Sequence, residues 1–168
     1  MSLSMYSSSV PVFVHYLKSL SVILKKGADY AAEKKIDEKV LTGGRLFPDM
    51  FPLSKQVQIA CDVAKGCGAR LAGIEVPKYE DNEVTFAELQ ARIEKTTSFL
   101  KSIPEASING SEHKQIKLQA GQRELEFVGE HFLRNWALPN VYFHITTAYN
   151  ILRHNGVAVG KMDFLGGQ

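Results

Sequence analysis

Apolar residues recur at spacings of three and four in four long stretches of the chain, which is the pattern of helices that bury one face. The four stretches are residues 10–26, with a helical extension through Lys35, 53–72, 86–103 and 139–156. Their links are short or medium in length. The pattern predicts an all-α fold of four long helices.

Local signals mark several ends of these helices. Thr85 with Glu88 three residues later forms the sequence of a capping box, which starts the third helix, and Pro104 stops that helix. In the fourth helix, Pro139 suits the first turn and Gly156 suits the position just past the end. These signals fix the predicted bounds of the third and fourth helices.

A histidine lies on the predicted inner face of the fourth helix. That face is formed by Val141, His144, Ala148 and Ile151. A buried neutral imidazole needs partners for its N–H group and its lone pair. We expect tyrosine hydroxyls, a carboxylate of Asp49 or Asp62, or a trapped water to supply them. His144 is therefore the main functional candidate.

The segment between the third and fourth helices has a different pattern. KQIKLQ and RELEFV alternate polar and apolar residues around Ala120–Gly121–Gln122. Alternation with a period of two around a glycine predicts a β-hairpin. Because an isolated hairpin is only marginally stable, we expect it to pack against the helices.

The composition is that of a globular domain and argues against nucleic-acid-binding and membrane-spanning proteins. The chain has 168 residues, 45% of them hydrophobic and 23% charged, with a formal net charge of +2. These values fit a single domain, residues 1–168, with its own core. The charge balance argues against nucleic-acid binding, and no apolar run approaches the length of about 20 residues that a membrane span needs.

The cysteines and the N-terminal residues indicate the cellular compartment in which the protein is expected. Cys61 and Cys67 lie six residues apart in the second helix, so a disulfide would have to bridge a rise of about 9 Å and a rotation of about 120°. Both are expected to be free and buried. The first ten residues lack the basic start of a secretory signal. We expect a cytoplasmic protein.

Three segments carry a family resemblance. They are RLFPDMFPLSKQVQIACDVAK at 45–65, ARLAGIEVPKYEDNEVTFAELQARIEKT at 69–96, and LPNVYFHITTAYNILRHNGVAVGKMDFLG at 138–166. They resemble DUF1993, a family of unassigned function within the DinB/YfiT-like superfamily. The resemblance implies a four-helix bundle, here with a small β-hairpin between the third and fourth long helices.

Many members of this superfamily are candidate metalloenzymes with a three-histidine site. One histidine comes from the second helix, and two come from the fourth at positions i and i+4, which share a helix face. In this chain the second helix has no histidine, and Ala148 follows His144 at i+4. His154 lies about 15 Å along the helix and about 80° around it. We expect no metal and no cofactor.

The favoured functional interpretation is a non-catalytic module that binds a small ligand or dimerises. The alternative is an enzyme with a pocket around His144. It would be either a metal-independent enzyme with His144 as general acid or base, or a metalloenzyme whose site is rebuilt from unexpected ligands. A pocket would be formed by His144, Tyr142, Thr147, Tyr149, Asp49 and Asp62.

The first helix predicts self-association. Tyr16 and Ile23 widen its apolar stripe beyond what one packing seam requires. We therefore expect a homodimer formed through helix faces.

Overall fold

The computed structural model describes residues 3–167, which are mostly helical with one two-stranded antiparallel hairpin. The helices are α1 (Val10–Lys34), α2 (Glu38–Thr42), α3 (Leu53–Ala72), α4 (Phe86–Ser102), α5 (Glu105–Ile108), α6 (Gly129–His131), a π-helix (Phe132–Ala137), α7 (Leu138–His154) and α8 (Lys161–Leu165). The strands are β1 (Gln115–Ala120) and β2 (Arg123–Val128). None of the described helices is long and apolar enough to cross a lipid bilayer.

The four long helices α1, α3, α4 and α7 share one apolar core. α1 packs against α4 and α7, and α3 packs against the same two helices. The fully buried core side chains include Phe13, Leu17, Leu53, Leu89, Leu100 and Ile145. Each long helix therefore buries the face that its apolar spacing predicts.

The predicted helix ends are confirmed where the sequence carries a cap. Thr85 Oγ1 accepts from the Glu88 N–H, and the Glu88 carboxylate accepts from the Thr85 N–H, which completes the capping box. Gly156 has φ +93°, a left-handed conformation that glycine adopts without strain. α3 spans the predicted residues 53–72 at both ends.

The predicted hairpin is also confirmed. β1 pairs with β2 with Leu118 opposite Leu125, and Gly121 lies in the turn with φ +60°. Ile116 is buried, and Phe127 lies 5.6 Å from the Trp136 ring, between centroids. The hairpin therefore packs on the helices at the corner that leads into α7.

The expected short helix at 129–137 is one α-helical turn followed by a π-helix, which runs without a break into α7. No residue in this segment signals the change from α to π hydrogen bonding. Pro139 lies in the first turn of α7, as predicted.

The C-terminal segment docks on α1. Phe164 of α8 lies 5.4 Å from Tyr16, between ring centroids, and Asp163 forms an ion pair of 2.8 Å with Lys26. The backbone carbonyl of Leu165 accepts a hydrogen bond of 2.8 Å from the His15 ring. α8 thus covers part of the broad apolar surface on which the homodimer was predicted.

Candidate functional site

His144 lies on the buried face of α7, with 9% of its surface exposed. Val141 and Ala148, one turn before and one turn after it, are fully buried. The apolar spacing of the fourth helix therefore places His144 correctly at the edge of the core.

The partner of the His144 ring is Gln56 of α3. His144 Nδ1 lies 2.7 Å from Gln56 Oε1, and Gln56 Nε2 donates to the Phe51 backbone carbonyl at 3.0 Å. Gln56 is itself buried. The expectation that a tyrosine, Asp49 or Asp62 would bind the ring is wrong for Nδ1, because a neutral amide occupies that position.

These two hydrogen bonds determine where the imidazole carries its proton. A backbone carbonyl only accepts, so the amide nitrogen of Gln56 must face Phe51 and the amide oxygen must face His144. The amide oxygen also only accepts, so Nδ1 carries hydrogen and donates. A neutral imidazole has one N–H group. Nε2 therefore keeps a free lone pair.

The environment keeps the ring neutral. Burial lowers the pKa of His144 to about 4, because the charged imidazolium loses its hydration there. At pH 7 the ring is uncharged, and it is an acceptor at Nε2.

Solvent reaches the Nε2 edge of the ring. Nε2 has no hydrogen-bond partner within residues 3–167, where the fully enclosed, unpaired side-chain atoms are Arg92 Nε and Ser111 Oγ. Since Nε2 is not one of these enclosed atoms, it retains some exposed surface. The free lone pair is therefore partly accessible.

One exposed phenyl ring packs against the imidazole. Phe143 lies edge-on to the His144 ring, with 5.2 Å between centroids, and is 58% exposed. The Phe51 carbonyl that holds Gln56 belongs to a loop closed by a hydrogen bond from the Leu53 N–H to the Gly44 carbonyl. The His144 ring thus has an exposed apolar neighbour, and its partner Gln56 is anchored by backbone.

The other predicted residues of α7 point in different directions. Thr147, one turn after His144, is buried, and its hydroxyl donates to the Phe143 carbonyl at 2.7 Å. Tyr142 packs on Tyr16 of α1, and burial raises its pKa. The Tyr149 hydroxyl donates to the Val159 carbonyl at 3.4 Å. Of these three residues, Thr147 lies on the same face of α7 as His144.

The two predicted carboxylates do not hydrogen-bond to His144. Asp49 is exposed in the loop before α3, and the neighbouring Arg45 guanidinium donates to the Met50 carbonyl at 3.0 Å rather than pairing with Asp49. Asp62 accepts from Arg92 at 2.9 Å and pairs with Lys65 at 2.8 Å. It belongs to a separate charged cluster.

That cluster surrounds Arg92, which the sequence analysis did not single out. Its side chain is 1% exposed, and it forms ion pairs of 2.9 Å with Asp62, Asp81 and Glu83. It also donates to the Glu80 carbonyl at 3.0 Å. Arg92 therefore fixes the loop between α3 and α4, and the buried charge is paired as the cost of desolvation requires.

The three-histidine metal site does not fit these residues. Gln56 offers an amide oxygen that already bonds to Nδ1, and Ala148 offers no ligand at i+4. Within residues 3–167, no three His, Cys, Asp or Glu side chains lie close enough together to hold a metal ion. The residues around His144 therefore lack the ligands that the three-histidine site requires.

Five surface cavities of 360 to 580 Å³ lie elsewhere on the molecule. The largest of these is lined by residues that include Met5, Glu112, Glu130 and Arg134. None of the predicted site residues lines any of the five.

The sequence contained a signal for Gln56. It follows Leu53 by three residues and precedes Ala60 by four, which are the spacings of the buried face of α3. A polar residue at such a position must find a partner in the core, and that partner is the one histidine on the facing seam.

Comparisons with known proteins agree with this architecture. The model of a family described as DUF1993, a domain of unknown function, matches residues 5–165. A crystal structure of a DinB family member from Shewanella denitrificans is 43% identical in sequence, with a TM-score of 0.87 over 97% of this chain and 92% of that one. No curated protein sequence matches the chain. The chain belongs to the DUF1993 family.

Proposed function

We propose that this protein is a non-catalytic module that binds a small molecule beside His144, in a single domain built as a DinB-like four-helix bundle. The observation that carries the proposal is the hydrogen bond of 2.7 Å between Gln56 and His144, which leaves a free lone pair on an imidazole that packs against the exposed Phe143 ring. Small-molecule sites combine an apolar lining with a few fixed polar groups in this way.

The architecture proposed here has two supports. α1 and α3 each pack against both α4 and α7, as the helices of a four-helix bundle do. The solved structure described as a DinB family member is similar over nearly the whole chain.

An enzyme with a pocket around His144, metal-independent or with a rebuilt metal site, is the alternative. A general base works best when its pKa lies near the working pH, and the pKa of His144 is about 4. A catalytic histidine is usually oriented by a carboxylate that stabilises its charged form, whereas Gln56 is neutral. Both features favour binding over proton transfer.

NMR on ¹⁵N-labelled protein tests the proposal. We expect at least one of phenol, anisole, benzoate and benzylamine to shift the amide signals of Phe51, Gln56 and Phe143 in a saturable manner. His144→Ala should abolish the shifts, and His154→Ala, at the exposed end of the same helix, is the matched control. If none of the four compounds shifts these signals, the binding function is refuted.

We also propose a homodimer in a reducing, cytoplasmic compartment. Val40 and Phe47 are large apolar side chains left exposed near α2, and such residues favour association. The two cysteines are free and buried, which suits a reducing compartment. Light scattering should give about twice the chain mass of 18.7 kDa, and Phe47→Ser should lower it. A mass of 18.7 kDa at all concentrations would exclude the dimer.

A further inference from the structure

We propose that Gln56 determines which ligand this site accepts: an uncharged, apolar molecule that offers one O–H or N–H donor, such as a phenol. The inference rests on the binding function proposed above and specifies its ligand class. It assigns to Gln56 the role of a specificity-determining residue, although Gln56 itself does not need to touch the ligand.

The first step is the direction of the hydrogen bond that the site can make. Because Phe51 and Gln56 together place the hydrogen on Nδ1, the accessible Nε2 atom of His144 can only accept. A ligand that offers only an acceptor, such as an ether or a carbonyl, cannot form a hydrogen bond with Nε2, because both atoms carry lone pairs and neither carries hydrogen. A ligand with an O–H or N–H group completes the ring's hydrogen bonding.

The second step is the charge of the ligand. No ionised side chain hydrogen-bonds to Gln56 or His144 within residues 3–167. Lys55, which precedes Gln56 in the chain, is paired with Asp81, and the exposed Arg45 already donates to the Met50 carbonyl. An ionised ligand would lose hydration beside Phe143 without gaining a partner of opposite charge. The site therefore favours neutral molecules.

The third step is the body of the ligand. The exposed ring of Phe143 packs edge-on against the imidazole and offers apolar surface next to it. An aromatic ring that carries a hydroxyl group satisfies all three conditions, because it can pack on a phenyl ring while its O–H points at Nε2.

Gln56→Glu gives the sharpest perturbation. A carboxylate cannot donate to the Phe51 carbonyl, and it stabilises the imidazolium form of His144, whose Nε2 then carries hydrogen. The preference of the site should then reverse from donor ligands to acceptor anions. Gln119→Glu, an exposed change of the same charge in the hairpin, is the matched control.

The experiment combines two NMR measurements on the full-length chain. The ¹⁵N shifts of the His144 ring report which nitrogen is protonated, and titrations with phenol, anisole and benzoate report the ligand class. We expect the Nδ1–H form, a shift of the Nε2 resonance with phenol, and phenol affinity at least about tenfold above that of anisole, which has the same ring but no donor. In Gln56→Glu, phenol should weaken at least about tenfold and benzoate should become the tighter ligand.

Three outcomes would overturn the inference. An Nε2–H ring in the wild-type protein, equal binding of phenol and anisole, or benzoate as the tightest wild-type ligand would each show that Gln56 does not set the ligand class. The wild-type measurements decide the matter even if Gln56→Glu fails to fold. Absence of binding by every compound refutes the binding function itself, so the two failures are distinguishable.

Discussion

Replacing His144 by glutamine should remove a pH dependence of stability that this one side chain creates. In the folded protein burial lowers the pKa of His144 from 6.5 to about 4. The unfolded chain therefore takes up a proton first as the pH falls. The stabilising effect is fully present above pH 6.5 and is lost as the pH falls toward 4. The glutamine in the variant has no titrating group.

The magnitude follows from these two values of the pKa. Linkage between protonation and folding gives a loss of about 2 kcal/mol in the free energy of unfolding between pH 7 and pH 5, and about 3 kcal/mol by pH 4. Because the side chain is only 9% exposed, solvent screening reduces this value little. The loss is a substantial part of the stability of a typical domain.

Urea denaturation at several values of pH measures the effect directly. The difference in unfolding free energy between wild type and His144→Gln should change by about 2 kcal/mol from pH 7 to pH 5, in the direction that weakens the wild type. His154→Gln, an exposed histidine in the same helix, measures what a histidine replacement contributes by itself. A difference that stays constant with pH would refute the assignment of His144 as a buried neutral ring.

Three further changes test the packing of the fold away from the site. Cys67→Ala should cost about 1 kcal/mol by thermal denaturation because a small buried group is lost, and native Cys67 should resist thiol reagents because burial raises its pKa. Arg92→Met should cost roughly 3 kcal/mol in urea denaturation, since it leaves Glu83 without its cation; no loss would contradict a structural role for the cluster. Gly129→Ala should cost about 3 kcal/mol, because the new Cβ would stand 2.0 Å from the Ser111 carbonyl oxygen, and a stable variant would show that this backbone can move apart.

The ends of the long helices were predictable because their signals are local. Thr85 and Glu88 belong to one turn, and Gly156 ends α7 through its own backbone conformation. The hairpin followed in the same way from alternation around Gly121. None of these features depends on which helix lies opposite.

Of the two hydrogen-bonded residues at the site, the sequence predicted only His144. The position of His144 follows from periodicity within α7, but its partner comes from another helix, 88 residues earlier in the chain. Periodicity gives the buried face of each helix and not the rotation that aligns two faces, so Gln56 was missed. For the same reason Asp62 was predicted near His144, whereas in the structure it forms an ion pair with Arg92 of α4.

The π-helix before α7 is a place where the chain can change length without turning His144. Its hydrogen bonds run from residue i to i+5, so it contains one residue more than an α-helical segment of the same rotation. Deletion of one residue between Phe132 and Ala137 should therefore convert this turn into ordinary α-helix, with α7 still rotated so that His144 faces Gln56. The wide turn thus absorbs a difference in chain length before the site, and the orientation of the histidine does not depend on the number of residues in that turn.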